Sequence, residues 1–402
     1  MPPVIQVFFD RLTTVLFSST LACTFCGLFL LPDGKTILAN MLVISILVGI
    51  VNLIIGKNWD IGLHDRRILW LFLGYAGFIF INRLIHGDQY GVMRSLVYVF
   101  LFGSLVPRKE IVLRVCRYAI IVGGVGMGCI SLWQQSHGIY RVEGFTNAIL
   151  FSQASLVIAL LAWGIHREKS LLGWEKGCAL LSVLMALYSL YASQSRGVWL
   201  AFMTIVGLIV IVKAIKKPLK YIVFLLLILG SGAVFYHQSS VLQGRVQASI
   251  SDLSNAEKGL YDTSWGLRLV AWQGAWQGFL TSPILGVGTD GFDAIKKSLV
   301  ASGVSSPLLL NPVLAHSHNQ YMQNLIIRGA VGGVALLLFL GWPMWWAVKF
   351  WGVSSVGVLL PLSFAIGCMS DVPFEHQNTL FLYALGLVFI WLCGLNGIRG
   401  TR

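Results

Sequence analysis

Just before an apolar run that starts near residue 321, the chain reads Ala315-His316-Ser317-His318-Asn319-Gln320-Tyr321. Imidazole has an ordinary pKa close to neutrality, so it can take a proton from a hydroxyl nucleophile and be ready again for the next cycle. His-x-His spacing also serves metal ligation, for which folding would have to bring in Asp290, Asp293, Asp371 or Glu375. A purely structural pair is the third reading. The second group with chemical potential is a set of arginines: Arg83, Arg94, Arg141, Arg196 and Arg268. A guanidinium stays charged, is less tightly hydrated than an ammonium, and matches phosphate oxygens two at a time. Several converging on one place would hold a phosphate or diphosphate.

What positions these residues is a membrane. Of 402 residues, 56% are hydrophobic and 11% charged, against roughly 45–50% and about 25% in a soluble domain. That composition excludes a soluble enzyme. A hydrocarbon core about 30 Å thick takes about 20 apolar residues per helix. About twelve such segments are predicted, over 12–31, 36–56, 68–85, 91–106, 118–135, 149–165, 177–193, 197–212, 221–236, 321–346, 354–370 and 379–395. The first has no small-residue cleavage site behind it, and Leu31-Pro32-Asp33-Gly34 reads as a turn, so it is expected to be a retained helix.

Cytoplasmic loops carry the Lys and Arg excess. With the N-terminus inside, the inner loops hold Arg11; Lys57, Arg66 and Arg67; Arg108, Lys109, Arg114 and Arg117; Arg167, Lys169 and Lys176; Lys213, Lys216, Lys217 and Lys220; Lys349; and the terminal Arg399 and Arg402. The net charge of +13 is then a topology signal and an attraction to anionic lipid, with no nucleic-acid partner. Residues 1–236 form spans one to nine, 237–320 an outer loop domain, and 321–402 the last three spans. No Walker loop and no GxGxxG between a strand and a helix is present, which argues against an ATP-driven pump. All seven cysteines lie in or beside spans, and Cys23 and Cys26 read as packing residues.

In the outer loop, Trp265, Leu269, Trp272, Trp276 and Phe279 recur at steps of four and three, one face of an amphipathic helix. That face either lies at the headgroup level or packs on the tops of the spanning helices; both readings bring Arg268 near the membrane surface. Arg83, Arg94, Arg141 and Arg196 fall on the outer side, against the positive-inside bias. Each either snorkels or pairs with an acid such as Asp88 or Glu143, or binds a phosphate. Arg196, between Ser195 and Gly197 at a tight turn, favours the last. Asp290-Gly291-Phe292-Asp293 is not a DxD of metal-dependent sugar transfer, so electrostatic help is expected from arginines.

Four stretches resemble a known family. His318-Asn319, nine residues, then Gly329-Ala330-Val331-Gly332 resembles the H[N/S/Q]x9GxxG signature of the O-antigen ligases, relatives of the O-antigen polymerases and protein O-oligosaccharyltransferases. Ser195-Arg196-Gly197 is similar to the family's SRG turn. Arg268, Trp272 and Pro283-Ile284-Leu285-Gly286-Val287-Gly288 resemble its R…W…PxxGxG segment, and Arg141 to Asn147 its RxxGxFxN stretch. Ile327 and Arg328 stand where many members carry an acid just before the glycine.

The resemblance implies an all-α integral membrane protein of about twelve transmembrane helices, GT-C-like, with a long helical periplasmic loop, in the bacterial inner (cytoplasmic) membrane. It implies transfer of glycan from undecaprenyl diphosphate to lipid A-core oligosaccharide on the periplasmic face, inverting and metal-independent, with no cofactor. By position His318 is the catalytic histidine, and Arg196 and Arg268 bind and activate the diphosphate. Arg141, Arg83, Arg94, His316, Asn319, Gln320 and Tyr321 would contact substrate, and Asp371 would orient His318. A polymerase is the first alternative, although the RX10G pattern fails, since ten residues after Arg268 lead to Phe279. A protein O-oligosaccharyltransferase and a transporter are the others. A transporter is disfavoured because the charges gather at the outer surface and not at the bilayer midplane.

Overall fold

The computed structural model describes residues 3–56 and 67–395; Lys57, Arg66, Arg399 and Arg402 lie outside the described residues. Among the described residues every regular element is a helix. In chain order they are α1 (Pro3–Ala22), α2 (Gly34–Gly56), α3 (Arg67–His86), α4 (Tyr90–Leu105), α5 (Glu110–Ser136), α6 (Ala148–His166), α7 (Gly173–Ala192) and α8 (Arg196–Ala214). There follow α9 (Pro218–Gln238), α10 (Ser240–Glu257), α11 (Ser264–Thr281), α12 (Gly288–Ala301), α13 (Gln320–Trp351), α14 (Val356–Gly367) and α15 (Gln377–Leu395). Each predicted span overlaps a helix, the first displaced toward its end, since α1 starts at Pro3 and residues 28–31 form a turn. Nine of the described helices are long and apolar enough to cross a membrane. Of the remaining three predicted spans, α4 and α14 are shorter apolar helices of 16 and 12 residues, and α7 carries Glu175 and Lys176 in its first turns. The chain is an all-α integral membrane protein.

The helices sort by how much of each is covered. Helix α6 is apolar all round and buried on every face, so it forms the centre with α15. No residue of the apolar stretch of α9 is buried, so this helix lies at the periphery with most of its surface left to lipid. Between centre and periphery, Tyr75, Phe339, Phe364, Phe374 and Tyr383 form one aromatic cluster, and the Tyr383 hydroxyl donates to the Phe339 carbonyl at 2.8 Å. Loops expected on the inner side meet one another, Lys109 with Asp10 and Arg117 with Glu168.

A break in α13 decides the local architecture. Gly329 has φ +64° inside the helix, and a Cβ there would lie 2.2 Å from the Ile284 carbonyl oxygen. The helix amides freed by the break are met by the outer loop: Ala330 N–H donates to Pro283 O at 2.8 Å, and Val331 N–H to Ile284 O at 3.3 Å. In return Val287 N–H donates to Ile326 O at 2.8 Å. Gly286, at φ +74°, approaches the Ile327 backbone so closely that a Cβ would stand 2.4 Å from its carbonyl carbon. The glycines of the two motifs therefore serve one junction.

Beside the break, Arg328 is 1% exposed between two acids. Its Nε and Nη2 donate to the two Asp88 oxygens at 2.8 Å each, and Nη1 donates to Glu375 Oε1 at 3.0 Å and Asn324 Oδ1 at 3.1 Å. Asn82 and the Gln89 amide also donate to Asp88, at 2.9 and 2.6 Å. Burial alone would push the Asp88 pKa up, but the Arg328 bond and charge hold it below the ordinary carboxylate value.

Helix α11 turns its small residues inward. Its inward face is Gly266, Val270, Ala271, Gly274, Ala275 and Gly278, with Gly278 against Ile326 and Ile295 and Gly274 against Leu309. Small residues at these positions make room for those side chains. Trp265, Leu269, Trp272 and Phe279 are half-buried and Trp276 is exposed.

Replacing Arg328 with Met should destabilise the fold by about 3–5 kcal/mol, because two carboxylates are left buried without their cation. Thermal unfolding in detergent checks this, and Asp88→Leu with Glu375→Leu in the same chain should recover most of the loss.

Candidate active site

The histidine segment is held by the start of α13. Asn319 caps that helix, its Oδ1 accepting from the Tyr321 and Met322 amides at 2.9 and 3.2 Å. The Ser317 amide and hydroxyl both donate to Gln323 Oε1 at 2.8 Å. Between these anchors His318 is forced into the left-handed region, φ +47°, a costly conformation for a residue with a Cβ. Its Nε2 lies 3.1 Å from the Val313 carbonyl, which can only accept, so Nε2 carries the proton and Nδ1 the lone pair in the neutral ring. That Nδ1 is buried with no hydrogen-bond partner, 3.8 Å from Asp371 Oδ1 and so beyond bonding distance.

Two further imidazoles line the same place, His316 at 4.2 Å from the His318 ring centre and His376 at 5.9 Å from that of His316. Burial, then the charge of His318, lowers the His316 pKa to about 4, so this ring is neutral at physiological pH. Burial raises the Asp371 pKa, but the surrounding histidines His318, His376 and His316 and a backbone bond outweigh it, and the carboxylate is ionised.

The arginines gather around the turn before α8. Gln194 is left-handed at φ +55°. The Ser193 carbonyl accepts from Arg141 Nε at 3.3 Å, and the Gln194 amide donates to Tyr140 O at 2.9 Å while accepting from Arg245 Nε at 3.1 Å. Arg196 donates to Ser249 Oγ at 2.9 Å and Asp252 Oδ2 at 3.0 Å. Gly197 lets this turn abut the next segment, since a Cβ there would stand 2.1 Å from the Ser370 hydroxyl, one residue from Asp371. Arg268 joins the two groups. Burial lowers its pKa, Asp371 opposes that, and Arg196 and Arg141 add to it. Arg141 is likewise lowered by burial and by Arg196, with Glu143 opposing.

His318, His316, Asp371, Arg268, Arg196 and Arg141 are thus brought together. Asn319, Gln320 and Tyr321 are adjacent, but their polar groups are committed to the scaffold. Gln320 donates to Asn324 and Glu375 and accepts from the Phe374 amide at 2.9, 3.0 and 3.0 Å, and the Tyr321 hydroxyl donates to Ala365 O at 2.8 Å. Arg83 and Arg94 have their contacts elsewhere. Arg83 donates to Asp88 O at 2.6 Å, and both guanidinium groups lie 5.6 Å from the Tyr90 ring centre. Arg245 was not expected; it belongs to no motif, and only its spacing to Ser249 and Asp252 along α10 marks it. His316, His318 and Asp371 also offer metal-ligating atoms within 4.8 Å of one another. A tetrahedral zinc site, with bonds of about 2.0–2.2 Å, needs them nearer, about 3.3 Å apart.

A polytopic helical membrane protein with imidazoles, a carboxylate and clustered guanidinium groups at one end of its helices defines the class. Residues 180–337 match the O-antigen ligase family. The matched stretch holds Arg196, Arg245, Arg268, His316, His318 and Arg328. An uncharacterized protein of Haemophilus influenzae is 25% identical over 313 residues, covering 73% of this chain and 75% of that one.

The depressed His316 pKa links to stability. Folded at about 4 and unfolded at 6.5, the ring contributes fully above pH 6.5. Below that the unfolded chain binds the proton first, and the contribution drains away as pH falls to 4. Melting temperature measured across that window should fall less steeply in His316→Gln than in the wild type.

Proposed function

We propose that the protein is an O-antigen ligase, transferring glycan from undecaprenyl diphosphate to lipid A-core oligosaccharide on the periplasmic face of the bacterial inner membrane. The observation that carries this reading is the junction of two groups: an unpartnered His318 Nδ1 beside ionised Asp371, and guanidinium groups held against the same turn. A sugar hydroxyl must lose its proton as it attacks the anomeric carbon. His318 Nδ1 takes that proton, and Asp371 stabilises the imidazolium that results. As the new C–O bond forms, the bond from the anomeric carbon to the diphosphate oxygen breaks on the opposite face, which inverts the centre. The departing diphosphate gains charge, and Arg196, Arg268 and Arg141 stabilise it where water is restricted. The proton leaves His318 for solvent, and no cofactor is consumed.

In this reading the loops rich in Lys and Arg are cytoplasmic, residues 237–320 are the periplasmic loop domain, and the arrangement is GT-C-like with about twelve crossings. Arg83 and Arg94, at the outer ends of α3 and α4, serve lipid-borne phosphate at the membrane surface. The tryptophan face of α11 lies at headgroup level. The polymerase alternative differs in the acceptor, a second lipid-linked glycan.

Purified protein in lipid, given undecaprenyl-diphosphate-linked glycan with and without lipid A-core, tests the proposal. Product is expected only when the core acceptor is present, and His318→Ala should reduce it by about 10²–10⁴. Growth of the donor glycan without core would assign a polymerase, and no covalent product with either acceptor would remove the transferase reading. Arg196→Lys should stay badly impaired, because the ammonium keeps the charge and loses the fork. Chelation with EDTA should leave activity intact; activity lost with EDTA and restored by one divalent ion would instead establish a metal-assisted reaction at the His316-His318-Asp371 group.

A further inference from the structure

Helix α10 places Arg245, Ser249 and Asp252 at i, i+4 and i+7, on one face. All three meet the turn before α8: Arg245 at Gln194, Ser249 and Asp252 at Arg196, over 3.1, 2.9 and 3.0 Å. No residue of α10 is itself buried. At the helix start Ser239 caps α10 and its hydroxyl lies 2.7 Å from the Tyr191 hydroxyl of α7. The helix is therefore hinged at one end and held along its length by polar contacts to the arginine turn.

From this geometry we infer that α10 is part of the donor site: Arg245 is a further diphosphate-binding residue, and Asp252 is an internal anion that occupies Arg196 until a diphosphate displaces it. The inference rests on the diphosphate donor proposed above.

Two observations carry it. Among the described residues no carboxylate pairs with Arg245, whose guanidinium is met by a neutral amide. Burial and the charges of Arg141 and Arg196 press on it, so it lacks the counter-ion its surroundings call for. Asp252 does the opposite. Its single carboxylate takes one Arg196 nitrogen in a pair that is 27% and 15% exposed, open enough to exchange with solvent ions. One carboxylate leaves Arg141, Arg245 and Arg268 without equivalent neutralisation. A diphosphate carries more charge and more acceptor oxygens, so it can satisfy several forks at once. Exchange of Asp252 for diphosphate at Arg196 releases the carboxylate to solvent and draws Arg245 onto the ligand from the same helix face. The partner recognised is the lipid-linked diphosphate, independent of the sugar attached to it.

The test is binding of undecaprenyl diphosphate, without glycan, to the full-length protein in nanodiscs, together with donor and acceptor KM. Arg245→Gln should weaken binding at least about tenfold, with donor KM rising in step and acceptor KM unchanged. Asp252→Asn should tighten binding several-fold, because the competing charge is gone and the side chain's size is kept. Matching thermal midpoints establish that the variants are folded. Wild-type affinity in Arg245→Gln, or unchanged or weakened binding in Asp252→Asn, overturns the inference. If the wild type binds and Arg196→Gln does not, failure of the α10 variants sinks this inference alone. If the wild type and Arg196→Gln are equally unable to bind, the diphosphate-donor reading falls and takes this inference with it.

Discussion

A guanidinium removed from water must be met on every side, and Arg328 imposes that requirement on α13, the turn after α3 and the segment before α15. Its two acids come from far away in the chain, Asp88 from the turn between α3 and α4 and Glu375 from the segment before α15. Satisfying one side chain therefore fixes three connections. Gln320 extends the constraint, because it joins Glu375 through its side chain and Asp371 and Cys368 through its backbone amide. The segment carrying Asp371 and His376 is thereby set against the histidines before α13. The ion network gives little net stability once desolvation is counted; its contribution is to make one arrangement the only acceptable one.

The outer arginines show the reverse balance. Arg328 has two carboxylates for one cation, whereas Arg141, Arg196, Arg245 and Arg268 crowd together with Asp252 as the one direct ion partner among the described residues. A cation with surplus acid is finished as a piece of structure. Cations with too little acid are held in an unfavourable field, and an incoming anion relieves it. The left-handed backbones at Gln194 and His318 fall in these two neighbouring segments, where the fold tolerates strain to aim side chains.

Much of this was legible in the sequence. Span lengths follow from apolar runs, so the helices fell where expected, and the Ser195-Arg196-Gly197 and His318 motifs pointed to segments that do meet. What escaped has a common cause, dependence on distant partners. Arg328 stood out as a departure from the family, but Asp88 lies 240 residues away. Asn319, Gln320 and Tyr321 were taken with the histidines beside them, yet a helix start consumes its polar groups in capping and anchoring. In α11 the small residues of the buried face, Gly266, Ala271, Gly274, Ala275 and Gly278, carry no periodic signal as strong as the aromatic stripe. Arg245 carried no motif, and its meaning arises only from what the turn before α8 presents to it.

The break in α13 also bears on how the chain is made. The amides of Ala330 and Val331 find their acceptors in Pro283 and Ile284, which precede them in the chain. Synthesis runs from the N-terminus, so the outer segment has left the ribosome before the helix that needs it. When α13 is made, the carbonyls that complete its broken ladder have already been translated. Had the order been reversed, the amides freed at the break would have had no such acceptor until a later segment was translated.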